Sequence, residues 1–569
     1  MNRFLVIVLL PLLLIAQQMH AAANCYQYEE HPGYDCKRYD VQSHSFMFTR
    51  PLNQQLNIQQ TLQEYLLFGK RHQNKSGAEV TIAIQDSVPF DKAINYFLFN
   101  CKTTLLVSGD DIIDNLLVRD IRAEWIGLPS NFQGKMTICP QQRQWGVTLS
   151  FNKDLRSLIS EPWADDTWLS VDLPLIGVKN KLNLQQFDVS GMGTSSPVDI
   201  IEAFDQPSWQ YGKIVGCRSV VRLAEINLKV GKTYLAEKSF VIAYYSMLRL
   251  PTGNQQNARY LFDAVSGNNC HTGIGAGVNF QYLLTRDPVN WAVSWFVNLE
   301  DTFFCRYHEQ RTFDLIKRPI TSQNCLCENM TLNPAVRSQT LNQNLRHNPW
   351  TRYVQLVRAT GPTFFDASGN VMSPGMLTVP GVNVLTQEVR VRPFNTVDFS
   401  TGLRVQHHHV EFELGYNVWG HSAERIEFIC PFPEIYGIAG NPQQVQVNSD
   451  GNVVYAPNGQ PNMVPIPHND IALGTYALTA SRSTISTQAA NDTNSSGQFV
   501  FVPIKCSDLD KRSAAAAGAL NHKVHFALNF FTATARADYA VGTGFFFDYP
   551  QHNAALQLVG WWIKGGASF

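Results

Sequence analysis

VDFSTGLRVQHHHVEFELGYNV, residues 397–418, holds two runs of alternating side chains separated by histidines. Val397, Phe399, Thr401, Leu403 and Val405 fall on one face of the first run, with Asp398, Ser400, Gly402 and Arg404 on the other. After Gln406-His407-His408-His409 the alternation resumes, with Val410, Phe412, Leu414, Tyr416 and Val418 against Glu411, Glu413, Gly415 and Asn417. Successive side chains of a strand point to opposite faces, so the stretch reads as a β-hairpin with one apolar and one polar face. No charge stands on the apolar face, whereas three carboxylates and an arginine stand on the other.

Two architectures write this pattern. A soluble β-sandwich buries the apolar face in its core. A membrane β-barrel turns that face to lipid and the polar face to an aqueous lumen. The chain has 569 residues, a formal net charge of -1 and only 16% charged residues, below the roughly 25% of soluble domains. The near-neutral balance offers no electrostatic footprint for nucleic acid. Mean hydropathy is -0.15, too low for a helical membrane protein and compatible with a barrel, whose lumen-facing residues dilute the lipid-facing ones.

At the N-terminus, Arg3 precedes an apolar run from Phe4 to Ala16, and Ala21-Ala22-Ala23 supplies small residues. This reads as a cleaved signal peptide over 1–23, too short to span about 30 Å of hydrocarbon. No later run reaches the length of a transmembrane helix. The 11 cysteines are expected to pair in part outside the cytosol, and the odd count leaves at least one over. Cys25 with Cys36 is one plausible bridge. Cys325-Leu326-Cys327 is too closely spaced for a zinc site and reads better as part of a loop disulfide.

Residues 24–75 are irregular and read as a periplasmic or plug-like segment; the barrel is expected over 76–569. Alternating runs recur near 78–85, 145–151, 169–175, 224–230, 240–250, 274–282, 291–299, 383–392, 424–430, 524–530, 541–549 and 557–569, with weaker ones near 350–358, 474–480 and 498–504. Ser195 to Phe204 reads as a short helix in a loop insertion, with Pro197 in its first turn after a serine cap. Counting back from Phe569 as periplasmic, the turns at 532–539, 419–422 and 393–396 fall on the periplasmic side, and 505–521, 431–473 and 360–381 fall outside.

His407–His409 are neighbours on a strand or turn and point apart, so they do not converge on one metal ion; no metal or cofactor is expected. The polar strand faces carry the candidate lumen residues Glu225, Lys229, Arg390, Arg392, Asp398, Arg404, Glu411 and Glu413. In a barrel these set the field of the lumen; in a sandwich they would be solvated. Tyr282, Trp291, Trp295, Tyr549 and Trp561 are candidates for aromatic girdles at the membrane interfaces. No nucleophile elbow, metalloprotease frame or phosphate loop is present, and no enzymatic activity is expected.

The signal peptide, the alternation and the terminal Phe569 resemble a Gram-negative outer-membrane β-barrel. A last strand ending in phenylalanine is similar to the assembly signal of such proteins, which implies the barrel assembly machinery as a partner. Leu250-Pro251-Thr252-Gly253, closing a strand before a long loop, is similar to barrels of the FadL and phenol-degradation type. That resemblance implies passage of hydrophobic or aromatic small molecules across the outer membrane. The chain is also similar to uncharacterised large barrel proteins of Gram-negative genomes, which implies location more than substrate.

Together these readings describe one antiparallel transmembrane barrel of about 14 strands, within 12–18, with long extracellular loops and short periplasmic turns. Hydrocarbon tolerates no unpaired backbone, which favours closure. The expected function is passive transport of small solutes across the outer membrane. A surface adhesin or interaction protein acting through the long loops is the alternative, and an outer-membrane enzyme a third.

Overall fold

Alternating runs of the kind at 397–418 recur as twelve strands that hydrogen-bond in chain order. They are β1 (Gly77–Ser87), β2 (Gln141–Asp154), β3 (Thr167–Lys181), β4 (Glu225–Glu237), β5 (Phe240–Pro251) and β6 (Gly273–Arg286). The second half is β7 (Trp291–Phe304), β8 (Asn395–His407), β9 (Val410–His421), β10 (Ala519–Ala533), β11 (Asp538–Pro550) and β12 (Leu558–Ser568). Each pairs antiparallel with its sequence neighbours, and β1 pairs antiparallel with β12 from Gly77↔Ser568 to Ser87↔Leu558, which closes the cylinder. The computed structural model describes residues 50–56, 58, 76–88, 104–109, 111–112, 119–194, 196–237, 240–286, 291–316, 347–348, 350–358, 364–365, 371–372, 377–393, 395–429, 431–433, 435–438, 444–447, 453–455, 464–465, 504–534, 537–551 and 556–568. The signal region, Cys25, Cys36, Cys325, Cys327 and Phe569 lie outside them.

The outward faces carry the apolar set. Val80, Ile82, Leu149, Phe151, Tyr244, Val278, Leu299, Leu403, Phe412, Leu414, Phe526, Val541 and Ile563 are all exposed on the cylinder. A soluble protein has no use for an apolar band around its whole girth. Lipid does, because each of these side chains is at home in hydrocarbon while every strand hydrogen bond is satisfied by a neighbour. The protein is therefore a transmembrane β-barrel. No described helix is long and apolar enough to cross a membrane.

The inward faces carry polar residues and glycines. In β6, Gly275 and Gly277 lie beneath Met247 and Tyr245 of β5. A Cβ at Gly277 would come within 2.3 Å of the Tyr245 ring, so the bare backbone makes room for a large interior side chain. Pro174 sits in β3 where that strand changes partner: residues up to Asp172 pair with β4, whereas Leu175 onward pairs with the short strand Cys217–Leu223. A proline has no ladder N–H to lose there.

The two ends differ. At one, the connections span only 155–166, 238–239, 287–290, 408–409 and 534–537. At the other they span 88–140, 182–224, 252–272, 305–394 and 422–518, with 551–557 the short exception. The count of twelve is at the lower limit of the expected range, because two expected wall strands leave the wall. Thr386–Arg392 and Arg425–Phe428 join Tyr307–Thr312 in a separate three-stranded sheet above the long-loop end. The expected sidedness changes with them. Residues 393–396 and 419–422 lie at the long-loop end, and His408–His409 form the tight turn at the opposite one.

The long loops fold into a cap with its own core. Phe132, Ile200, Phe204, Trp209, Phe313, Tyr353, Val382 and Val389 are buried in it. Trp209 stacks on Tyr353 at 5.1 Å, and Phe204 meets the same ring edge-on. The short helix of the cap spans Ile200–Phe204 and is capped by Asp199, whose Oδ1 accepts from the Glu202 N–H at 2.9 Å. It thus begins later than Ser195 and uses a carboxylate rather than a serine, favoured at a helix N-terminus by both hydrogen bonding and dipole. Among the described cysteines, Cys139 is disulfide-bonded, and Cys217, Cys270, Cys305 and Cys506 are free thiols.

Candidate functional site: the sealed barrel interior

A stretch ahead of β1, residues 50–56 with Ile58, lies inside the cylinder. It forms the 3-10 turn Leu52–Gln54, and Leu56 and Ile58 beyond it are helical. The wall holds it by side-chain hydrogen bonds. Arg50 is fully buried; it bonds Asp398, donates to Asn417 at 2.6 Å and lies 3.8 Å from Asp548. The Leu52 N–H donates to Gln144 Oε1 at 3.0 Å. Asn53 donates to Glu225 at 2.8 Å, and Gln54 to Asn268 at 2.6 Å. Gln55 bonds Gln85 and accepts from Lys523 at 2.6 Å, and the Ile58 carbonyl accepts from Lys564. Arg50 stands near the long-loop mouth and Ile58 toward the short-turn end. The segment therefore descends through the lumen.

The wall carries three further charge clusters. Arg249 donates to Glu225 at 3.0 Å and bonds Glu300, which also accepts from the Tyr245 hydroxyl at 2.9 Å. Lys229 lies 3.6 Å from Glu300 and 4.0 Å from Asp172. Closer to the short-turn end, Arg404 donates to Glu413 at 2.7 Å, and His525 Nε2 lies 3.0 Å from the other Glu413 oxygen. Lys564 stands 3.6 Å from Glu79. A buried charge is tolerated when an opposite charge stands beside it, and each of these four clusters pairs its charges.

Leu52 and Ile58 belong to an apolar patch with Ala83, Ile176, Val178, Ala527, Phe546 and Trp562. Above Asn53 remains a cavity of about 50 Å³ between wall and cap, bordered by Gln144, Ile176, Asn268, His271, Phe304 and Arg311. That volume holds a few waters. Among the described residues, the segment fills this part of the lumen.

Of the candidate lumen residues, Glu225, Lys229, Asp398, Arg404 and Glu413 all lie buried on the inner face. Glu411 is half-buried there and accepts from Asn529 at 3.2 Å. Arg390 and Arg392 do not join them. They are exposed on the three-stranded sheet above the barrel, because Thr386–Arg392 pairs with Tyr307–Thr312 and Arg425–Phe428 rather than with wall strands. Residues that sequence reasoning left out of the lumen set include Glu79, Arg249, Glu300, Lys523, His525, Asp548 and Lys564. The signal that finds them is their place on the polar face of strong alternating runs. For the contacts of Arg50–Ile58 there is no local signal, since the partners lie at least 30 residues away on wall strands and in the loop 252–272.

The aromatic candidates spread over the wall. Trp291 begins β7 at the short-turn end and stacks on His407 at 4.3 Å. Tyr282 and Trp295 pair across β6 and β7 one layer up. Trp561 lies at mid-strand in β12, its indole N–H donating to Thr543 at 2.9 Å. Tyr549 is the penultimate residue of β11 at the long-loop end.

At the base of the cap, Glu309 accepts from Arg311 Nε at 2.9 Å, bonds Asn269 and lies 2.7 Å from His271 Nε2. Burial alone would raise the Glu309 carboxyl, but the Arg311 guanidinium and the His271 ring outweigh it and hold it below the ordinary carboxylate value. A depressed folded value contributes stability that is fully present above the unfolded value, about 4.3. That stability is lost as pH falls through the folded value. Proteolysis of the cap in detergent is therefore expected to accelerate below about pH 4, and Glu309→Gln is expected to flatten that acid limb. An unchanged acid limb in the variant would assign the loss to other groups.

No family model matches the chain, and no curated protein matches it. Among solved structures, the chain is similar to an outer-membrane channel from Pseudomonas putida F1, with TM-score 0.32, 9% identity, and 87% of this chain and 96% of that one covered. It is similar to a mutant of TodX, a monoaromatic hydrocarbon channel, with TM-score 0.27, 9% identity, and coverage of 87% and 89%. It is also similar to the β domain of the Bordetella autotransporter BrkA, with TM-score 0.26, 5% identity, and coverage of 87% and 99%. The fold class rests on the closed strand order and the apolar girth.

Proposed function

We propose that this protein is an outer-membrane channel for small solutes, closed at rest by its own residues 50–58. The observation that carries the reading is how the filling is held. Single hydrogen bonds and ion pairs attach it to the wall, and the polar groups it would leave behind can be rehydrated. Short turns then face the periplasm and long loops the exterior. Hydrophobic or aromatic compounds are the favoured solutes. The patch around Leu52, with Ile176, Val178, Phe546 and Trp562, offers an apolar seat to a molecule that displaces that side chain. The reading contains no chemical step and no cofactor, and the final strand would be the feature read by the assembly machinery.

The size of the folded cap favours one second reading, a surface-interaction protein that presents the long loops to a partner. Liposome swelling separates the two. Vesicles containing the protein are expected to admit small aromatic solutes faster than protein-free vesicles, and faster than they admit sugars of the same mass. Swelling no faster than in protein-free vesicles for every solute would remove the channel reading and leave the interaction one.

A further inference from the structure

We infer that the outer face of the three-stranded sheet above the barrel binds the phosphate groups of membrane lipids at the long-loop end. This rests on the transmembrane reading of the barrel. The strands Tyr307–Thr312, Thr386–Arg392 and Arg425–Phe428 continue β7, β8 and β9 past the apolar band. Arg392 is paired with Arg425, and extending the Tyr307↔Val391 register by one residue sets Arg306 opposite Arg392. Strands lie about 4.8 Å apart, so three guanidinium groups form a row immediately above the membrane wall. Arg390 stands in the next row.

All four arginines are exposed, and none has an ion-pair partner among the described residues. Arginines without carboxylate partners, set side by side, repel one another, and an anion shared between them removes that cost. The acids on this face lie above the row of three: Glu427 is opposite Arg390, and Glu388 stands one row farther from the barrel.

Below the arginine row the surface turns apolar at once. Phe303 is 46% exposed and Val397 40%. Phe303, Cys305, Arg306 and Arg392 border one open concavity of about 440 Å³. One side of it suits the root of an acyl chain and the other a phosphate. Arginine binds phosphate through a planar pair of N–H donors, with a geometric fit lysine lacks. A free anion would have no use for the apolar side. In an outer membrane, the leaflet at this end is built of phosphorylated glycolipid, which supplies both features.

The test uses the full-length protein in detergent, titrated with diphosphoryl lipid A, with its dephosphorylated form and with inorganic phosphate, bound lipid being counted by native mass spectrometry. Intact protein is expected to retain diphosphoryl lipid A, more weakly as salt is raised. The triple variant Arg306→Gln, Arg392→Gln, Arg425→Gln is expected to lose about tenfold or more in affinity. Arg392→Gln alone serves if the triple variant misfolds, with a smaller loss in the same direction. Equal binding by the variants, equal retention of the dephosphorylated lipid, or competition by inorganic phosphate at similar concentration would each overturn the proposal. A protein soluble without detergent would instead overturn the membrane reading beneath it.

Discussion

Planar bilayers holding the protein deleted of residues 50–58 are expected to carry steady current about tenfold or more above that of the intact chain. Field and volume both predict this. The segment fills the cylinder from Arg50 at the long-loop mouth to Ile58 beyond mid-lumen, and the cavity left above it is only about 50 Å³. Removing it takes Arg50 from Asp398 and Asp548, Asn53 from Glu225, and Gln55 from Lys523. Lumen acids such as Asp398, Asp548 and Glu225 then lose partners, and the opened path is expected to prefer cations. A milder variant, Arg50→Ala, is expected to give brief openings, since one anchor is lost and the others hold. Intact assembly of each variant is checked by its heat-modifiable migration in gels. If the deleted protein folds and stays silent, the cap alone seals the lumen and the segment is not its gate.

Arg249→Met is expected to be the most damaging single change in the wall, costing about 3–5 kcal/mol in unfolding free energy. Arg249 is the cation between Glu225 and Glu300, both nearly inaccessible. Glu300 keeps Lys229 and the Tyr245 hydroxyl, whereas Glu225 keeps only amide donors from Asn53, Gln54 and Asn268. The cost therefore concentrates on Glu225. Adding Glu225→Gln to Arg249→Met is expected to recover roughly half of it, because the isosteric amide carries no charge to strand. Urea unfolding in lipid vesicles reads both. A single variant as stable as the parent, or a double variant less stable than the single one, would show that water reaches this cluster.

Most of the wall is legible in the chain because its rule is local. At 397–418, the period of two and the choice of residues on each face suffice to predict β8 and β9 and which face is apolar. The same rule places Asp398, Arg404 and Glu413 inside. It misleads at Thr386–Arg392, where alternation is equally clean but the strand belongs to a sheet above the membrane. One face of such a strand is also buried, in the cap, and the period cannot tell which apolar medium covers it. That ambiguity displaced Arg390 and Arg392 and reversed the sidedness of the His408–His409 turn. Residues 24–75 read as periplasmic or plug-like, but the contacts that hold the lumen filling are illegible for a different reason. Arg50 and Asp398 are 348 residues apart, and nothing in Arg50-Pro51-Leu52-Asn53 announces a partner at that distance.

The pairing of Gly77 with Ser568 has a consequence for how the protein is made. Every other neighbouring pair of wall strands is adjacent in the chain order of the barrel, but this seam joins its first and last strands, across nearly the whole polypeptide. The loop-closure entropy of such a contact is met once, at the end. Until β12 arrives, β1 and β11 each present a row of unpaired backbone groups that hydrocarbon does not tolerate. Residues 50–58 adjoin that seam in sequence through β1. The filling can therefore be laid into an open trough and locked in by the last strand, with no need to thread a finished tube.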